Sequence, residues 1–471
     1  MEFARVGGFP ESPVRATSRD PPEAADPTSR GELARPNSFG GSQSLELLGI
    51  AVGGPEHLDV DEEFHRLSLP SRMRHRSMPR WISVFCGSTR ARSGPHDRTK
   101  GEHVLTIRAI QAVPLVAPLR RVFRGSNYQM TKRCTVITRV LTAEGIVGES
   151  YNGDEEGDAQ VRLVRTITGT LAPLLVGQDA AMVEACWQAM LPITYDILGD
   201  RALAMKAIAC VDSALWDALG KSLGAPLFKI WGGFRTELPI IAIGGYYGIT
   251  PQELGAEMEG YRALGLTGCK LKVGGATPEE DAERFRIARV AAGADFVLMA
   301  DANQGYSLEE AKRFCHLVEG LDLRWFEEPC RWYNDRRAMR DVRLTTGVPV
   351  AAGQSELSRA GARDLMVDGA IDVCNFDASW GGGPTEWRRV AGMAIAFGVS
   401  MAHHEEPQIS AHLLASIPHG TYVECFHPER DPLFWELIAN RPPIRAGFYP
   451  VPPGPGFGLV LDESTIRRYA V

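Results

Sequence analysis

The sequence predicts an α/β protein, a modified TIM barrel of (β/α)7β form preceded by an N-terminal α+β capping domain. Three observations lead there. From Ile240 onward a strand–helix alternation repeats at roughly 25–30 residues, the spacing of βα units. Eight apolar strand candidates follow one another in that stretch, which reads as a closed barrel rather than an open sheet. The chain of 471 residues is too long for one ordinary core, yet suits a cap plus a barrel of about 200–250 residues.

Residues 1–103 differ in kind from the rest. They are rich in Pro, Gly, Ser and Arg without a sustained period, which reads as disorder. They also read as upstream sequence translated from a misassigned start, with Val104 as a GTG initiation codon behind Lys100-Gly101-Glu102. Residues 104–235 form the expected cap. Strands at Leu105–Pro114 and Cys134–Leu141 precede a turn at Gly145–Ser150, and a helix follows over Leu203–Leu223. The barrel spans residues 236–426. Its strand candidates are Ile240–Gly245, Cys269–Val273, Phe296–Ala300, Trp325–Glu328, Val348–Ala352, Val373–Asp377, Val399–His403 and Tyr422–Phe426. Amphipathic stretches such as Pro278–Ala291 and Leu308–Val318 separate them. Residues 427–471 are expected to fold back onto the cap.

Composition excludes several classes. Hydrophobic residues are 44% and charged residues 23%, ordinary for a globular protein. The net charge is −7 with no Lys/Arg cluster among aromatics, so no nucleic-acid partner is expected. Apolar runs such as Val390–Val399 are too short to span a bilayer, so no membrane role is expected. Nine scattered cysteines, without Cys-x-x-Cys or zinc spacing, point to a reducing cytoplasm. The protein reads as cytoplasmic.

The C-terminal ends of barrel strands line active sites, and here they carry charge. The second strand bears Lys270 and Lys272, two apart and so on one side. The third ends in Asp301-Ala-Asn303 and the fourth in Glu327-Glu328. The fifth ends in Gln354-Ser-Glu356, the sixth in Asp377, the seventh in His403-His404 and the eighth in Glu424. A single buried charge is ordinarily a structural ion pair. Charge at seven consecutive strand ends would be prohibitive without a metal or substrate to neutralise it. Asp, Glu and Gln/Glu on successive strands make an oxygen cluster suited to Mg2+.

A metal between two bases fits proton abstraction next to a carboxylate, which creates a dianionic enediolate that cations stabilise. Lys270 should favour neutral Lys272, a competent base. Asp377 would orient the His404 imidazole.

At these residues the chain resembles the enolase superfamily, specifically its mandelate racemase / muconate lactonizing enzyme subgroup, over about residues 104–471. The motifs are Ala214-Leu-Trp-Asp-Ala-Leu-Gly-Lys221, Pro226-Leu-Phe-Lys-Ile-Trp-Gly-Gly233, the Lys-x-Lys strand, Asp301-Ala-Asn-Gln, Trp325-Phe-Glu-Glu-Pro329 and Ile409-Ser-Ala-His-Leu-Leu414. The resemblance implies that Lys272 is the base on one face and that Lys270 contacts the substrate carboxylate. It implies Asp301 and Glu327 as metal ligands, Asn303 as a substrate contact, Asp377–His404 as the dyad on the opposite face, and Glu424 as an acid bonded to the carboxylate. Ile409-Ser-Ala-His selects His404 over His403, and His412 reads as structural. Relatives have Glu or Asp as the third metal ligand, where this chain has Gln354. Gln354 and Glu356 both stand as candidates.

Dehydration of an acid sugar is the commoner outcome implied by this base pair. Racemisation or epimerisation of an α-hydroxy acid is the alternative, and a non-catalytic scaffold with the same fold is a third reading. A one-base cycloisomerase is disfavoured by the Asp377–His404 pair, because such relatives place a lysine there. Cap loops set specificity in this family, here expected at Phe123–Arg133 and Ile193–Arg201. The expected partners are a small carboxylate substrate and further copies of the chain in a homo-oligomer.

Overall fold

A computed structural model describes residues 104–471; the expectations for residues 1–103 lie outside the described residues. Three antiparallel strands come first: β1 (Ile107–Arg124), β2 (Gln129–Thr142) and β3 (Val147–Asn152). The β1–β2 hairpin is longer than its apolar segments foretold. Pairing resumes past a register shift between Pro118 and Phe123 and runs to Arg124↔Gln129. Polar residues that read as loop therefore complete a ladder, and the turn shrinks to Gly125–Tyr128, closed by Gly125 N donating to Tyr128 O at 3.0 Å.

The helix Arg201–Ser222 packs on this sheet. Asp200 caps it by accepting from Leu203 N, and it is buried on almost every side, as an apolar-all-round helix must be. The approach to β3 is close: a Cβ on Gly148 would lie 2.1 Å from the Ala214 carbonyl oxygen.

Eight parallel strands form the barrel. They are β4 (Glu237–Gly244), β5 (Gly268–Lys272), β6 (Val297–Asp301), β7 (Leu323–Glu327), β8 (Val350–Ala352), β9 (Val373–Cys374), β10 (Ser400–Met401) and β11 (Val423–Phe426). Neighbours follow in chain order from β4 to β10, and β11 pairs with β4. Between β10 and β11 the wall is closed by a single bridge, Met401↔Gly420. A helix follows each of the first seven strands, which is the (β/α)7β architecture. Three of these helices open with a capping box, at Thr250/Glu253, Thr277/Glu280 and Ser307/Glu310. Strands β8 to β10 are shorter than expected. Past Ala352 and Cys374 the ladder gives way to side-chain bonds, with Gln354 N donating to Asn375 Oδ1 at 3.2 Å. Ile241, Met299, Trp325, Ala351, Val373 and Ala402 pack inside the barrel beneath its mouth.

The C-terminal segment meets the barrel before the cap. Strand β12 (Phe448–Pro450) pairs antiparallel with β4. Phe457 N then donates to Asp217 Oδ1 of the long cap helix at 2.8 Å. After the helix Glu463–Tyr469, Val471 N donates to Pro114 O at 3.2 Å. Among the described residues no helix is long and apolar enough to cross a membrane.

Cap and barrel join at Asp212. Its carboxylate accepts from Thr385 N (2.9 Å) and Thr385 Oγ1 (2.8 Å), and Trp216 Nε1 donates to the same hydroxyl. Gly383, at φ 92°, makes room, since a Cβ there would lie 2.4 Å from Asp212 Oδ2. The Gly381-Gly-Gly run thus seats the cap helix.

Burial pushes Asp212 up to about 7 from 3.8, against the two Thr385 bonds that pull it down. A folded carboxyl that holds its proton more tightly than the unfolded one stabilises most at low pH. That contribution is lost as pH rises through the window between those values. The non-titrating Asp212→Asn variant should therefore gain on wild type by up to about 1.4 kcal/mol per pH unit within the window. Urea unfolding at a series of pH values measures it, and parallel profiles would refute it.

Candidate active site

Register gathers the charged residues at the barrel mouth. Lys272 pairs with Asp301 across β5–β6, and Asp301 pairs with Glu327 across β6–β7, so the three stand in one row. Lys270 lies two residues below Lys272 on the same inward face. All four are buried. Lys270 Nζ lies 2.6 Å from Glu327 Oε1 and 2.6 Å from Glu424 Oε1. Lys272 Nζ donates to Asp301 Oδ2 at 2.7 Å and to Asn303 Oδ1 at 2.9 Å. Trp325, in the barrel below, donates Nε1 to Glu327 Oε2 at 3.3 Å.

Burial pulls the Lys272 ammonium down, but the adjacent Asp301 carboxylate outweighs it and holds the group well above the usual lysine range. Lys270 was expected to keep Lys272 neutral; in this arrangement each lysine has its own carboxylate, and Asp301 outweighs Lys270.

Across the mouth, His404 Nδ1 lies 2.9 Å from Asp377 Oδ2. Asp377 is held by the backbone N–H groups of Ser379 (2.6 Å) and Trp380 (3.3 Å). The other ring nitrogen, Nε2, lies 3.3 Å from Glu405 Oε1. Burial acts against a charged ring, yet Glu405 and Asp377 together hold His404 well above the ordinary histidine range. His403 is committed elsewhere: Nε2 accepts from Ala378 N at 3.0 Å and Nδ1 meets His404 O at 2.8 Å. His412 is likewise structural, bonded to Phe228 N and Phe457 O, and burial pushes it down to about 3.

The two candidates for the third oxygen site part company. Gln354 is buried, with Nε2 donating to Glu328 Oε2 at 3.1 Å and Oε1 accepting from Asn375 Nδ2 at 3.2 Å. Glu356 packs over Gly361 and lines a small pocket with Glu328, Asp335 and Met339.

Further residues surround the mouth. Glu328, at φ 37°, accepts from Gln354 and Ser355. Arg133, on β2, is buried among Glu405 (3.1 Å), Glu406 (3.1 Å), Asp431 (3.5 Å) and Asp154 (3.7 Å). It belongs to the expected specificity loop, yet its charge is fully taken up within the protein. Trp380 packs 4.9 Å from the His404 ring and donates Nε1 to Asp154 Oδ1 at 2.6 Å. Tyr128, in the hairpin turn, places its ring 5.7 Å from Lys272 Nζ. Tyr247 is taken by Asp281 and Gly275. Trp380 and Asp154 escaped the sequence reading, since nothing in sequence joins positions so far apart.

The mouth fits a divalent cation. Asp301, Glu327, Glu328 and Glu424 are four buried carboxylates facing two ammoniums, a negative excess in a low-dielectric site. Burial, with Asp301 and Glu424 nearby, pushes the Glu327 carboxyl upward despite Lys270. The carboxylate donors are oxygens, as a hard cation requires, while Gln354 here turns Nε2 to Glu328 and Oε1 to Asn375.

Residues 109–232 match the mandelate racemase / muconate lactonizing enzyme N-terminal domain, and residues 253–465 match the enolase C-terminal domain-like family. An arabinonate dehydratase of Saccharolobus solfataricus is 30% identical over 344 residues, covering 71% of this chain and 90% of that one. A 3,6-anhydro-alpha-L-galactonate cycloisomerase of Streptomyces coelicolor is 29% identical over 340 residues, covering 71% and 91%. A mandelate racemase/muconate lactonizing enzyme from a marine actinobacterium, solved in complex with magnesium, is 51% identical with a TM-score of 0.74, covering 78% of this chain and 99% of that one. With both domains matched in chain order around this mouth, the chain belongs to the mandelate racemase / muconate lactonizing enzyme family of the enolase superfamily.

Proposed function

We propose that this protein removes the proton α to the carboxylate of a sugar acid and eliminates water from the neighbouring carbon, acting as an acid-sugar dehydratase. The observation that carries the reading is a pair of proton-transfer groups, Lys272 and Asp377–His404, on opposite flanks of one buried carboxylate cluster. Asp301 and Glu327 would hold Mg2+, joined by the Gln354 carboxamide oxygen once it leaves Asn375; the ion when bound supplies Lewis-acid stabilisation of charge developing on the substrate carboxylate.

Lys270 and Glu424, 2.6 Å apart, would orient that carboxylate. Lys272 Nζ takes the α-proton once it is neutral, so Asp301 must be drawn off it in the working enzyme. Asn303 Oδ1 keeps the amine aimed. Glu405 and Asp377 favour the protonated His404 ring, which suits it to act as the acid: Nε2 gives its proton to the departing β-hydroxyl, which leaves as water. Asp377 holds the ring through Nδ1. The same two groups would serve an epimerase, in which His404 returns a proton to the α-carbon on the opposite face. All eight cysteines among the described residues are free and buried, which supports a reducing, cytoplasmic setting.

Proton NMR in D2O with Mg2+ and a panel of sugar acids and lactones tests the reading. A 2-keto-3-deoxy product supports dehydration, deuterium entering the α-position alone supports epimerisation, and neither would refute both. Lys272→Ala and His404→Ala should each lower turnover by about 10²–10⁴-fold, the usual share of a general acid or base. In calorimetric Mg2+ titrations, Asp301→Asn should weaken binding by more than about 100-fold, beyond the loss typical of an outer-shell partner. Glu356→Gln should leave it unchanged, and an equal loss in both would move the metal site.

A further inference from the structure

Two guanidinium groups are buried near the mouth, and they differ in one respect. Arg133 is surrounded by four carboxylates. Arg430 is 3% exposed and forms no ion pair among the described residues, and its Nε and Nη1 have no hydrogen-bond partner. Its surroundings are aromatic faces: Phe426 at 4.4 Å, Tyr246 at 5.8 Å and Phe123 at 6.0 Å. Beside it, Tyr246 is 2% exposed and its hydroxyl is also unpartnered. Rings attract a cation, but they do not satisfy the N–H donors of a buried fork, which is costly to leave unmet.

These two residues leave the C-terminal ends of β4 and β11, neighbouring strands in the barrel. β11 also carries Glu424, and β5, on the other side of β4, carries Lys270 and Lys272. Both border a cavity of about 390 Å3 that Phe123 of the cap hairpin and the helix Pro251–Ala263 also line. A donor fork and a phenol, both unsatisfied and side by side at the reacting end of the barrel, await an acceptor. A carboxylate matches the fork's planar geometry. A carboxylate, with one charge, is opposed less than a phosphate dianion would be by Glu253, Glu257 and Glu429, which also line that cavity, and by Glu405 near by.

We infer that Arg430 and Tyr246 form a subsite for a second carboxylate at the far end of the substrate, making that substrate a dicarboxylic sugar acid. This rests on the sugar-acid reading above, and it names the class of acid. Arg430 donates two N–H bonds to the distal carboxylate and Tyr246 donates its hydroxyl.

Isothermal titration of the Mg2+-loaded protein tests it, using each hexaric acid beside the hexonic acid of matching configuration. At least one diacid should bind tenfold or more tightly than its monoacid partner. Arg430→Gln should erase that preference. Tyr246→Phe, which keeps the ring packing should the arginine variant not fold, should reduce it severalfold. No diacid preference in any pair, or a preference untouched in both variants, overturns the subsite. α-Proton exchange on the tightest-binding acid is read separately. Its absence alongside a diacid preference overturns the proposed reaction and leaves the subsite standing, whereas exchange on monoacids without that preference does the reverse.

Discussion

Lys270, packed with no exposure between Glu327 and Glu424, is the contact on which the mouth of the barrel depends. Moving any of these charges out of water alone would cost several kcal/mol. The cost is offset only because β5, β7 and β11 bring each carboxylate to 2.6 Å from the ammonium. Barrel closure therefore has a chemical consequence: a shift of one residue in the β5–β6 or β6–β7 register would turn Lys272, Asp301 or Glu327 outward and leave the others unpaired. The apolar layer beneath, led by Trp325, fixes that register from below and donates a hydrogen bond to Glu327 as well.

The cap acts on the opposite flank. Arg133 reaches from β2 to Glu405 and Glu406, both held in the left-handed backbone region at φ 53° and 49°. Such residues cost about 1–3 kcal/mol each, and the guanidinium between their carboxylates compensates. Glu405 in turn faces His404 Nε2 while Asp377 faces Nδ1. The protonation of the histidine is thus governed from both domains, and neither alone completes the site.

The parts of this arrangement legible in sequence were those that repeat or lie close together. Apolar strands at regular spacing revealed the barrel, and alternation placed Lys270 and Lys272 on one face. Polar residues at seven consecutive strand ends marked the mouth. The far arms of the β1–β2 hairpin were hidden because their residues are polar and pair only with each other. The ion pairs of Arg133 were hidden because Glu405, Glu406 and Asp431 lie hundreds of residues away and no local pattern distinguishes it from surface charge. Glu356 drew attention through its type and position, yet the turn after β8 sends it to Gly361. Residue type marks a candidate, but backbone direction decides which cavity it enters.

The wall of the barrel is not equally firm around its circumference. Between β10 and β11 it is held by Met401↔Gly420, with Met401 N donating to His419 O at 2.8 Å and Thr421 N to Met401 O at 2.9 Å. Elsewhere, as between β5 and β6, five consecutive pairs share the load. Local opening follows the thinnest hydrogen bonding, so this seam is where the cylinder breathes most readily. His404 and Glu405 lie just beyond it. The imidazole is therefore mounted on the most compliant stave, while the lysines stand on a rigid one, and any yielding of the barrel moves the acid relative to the base.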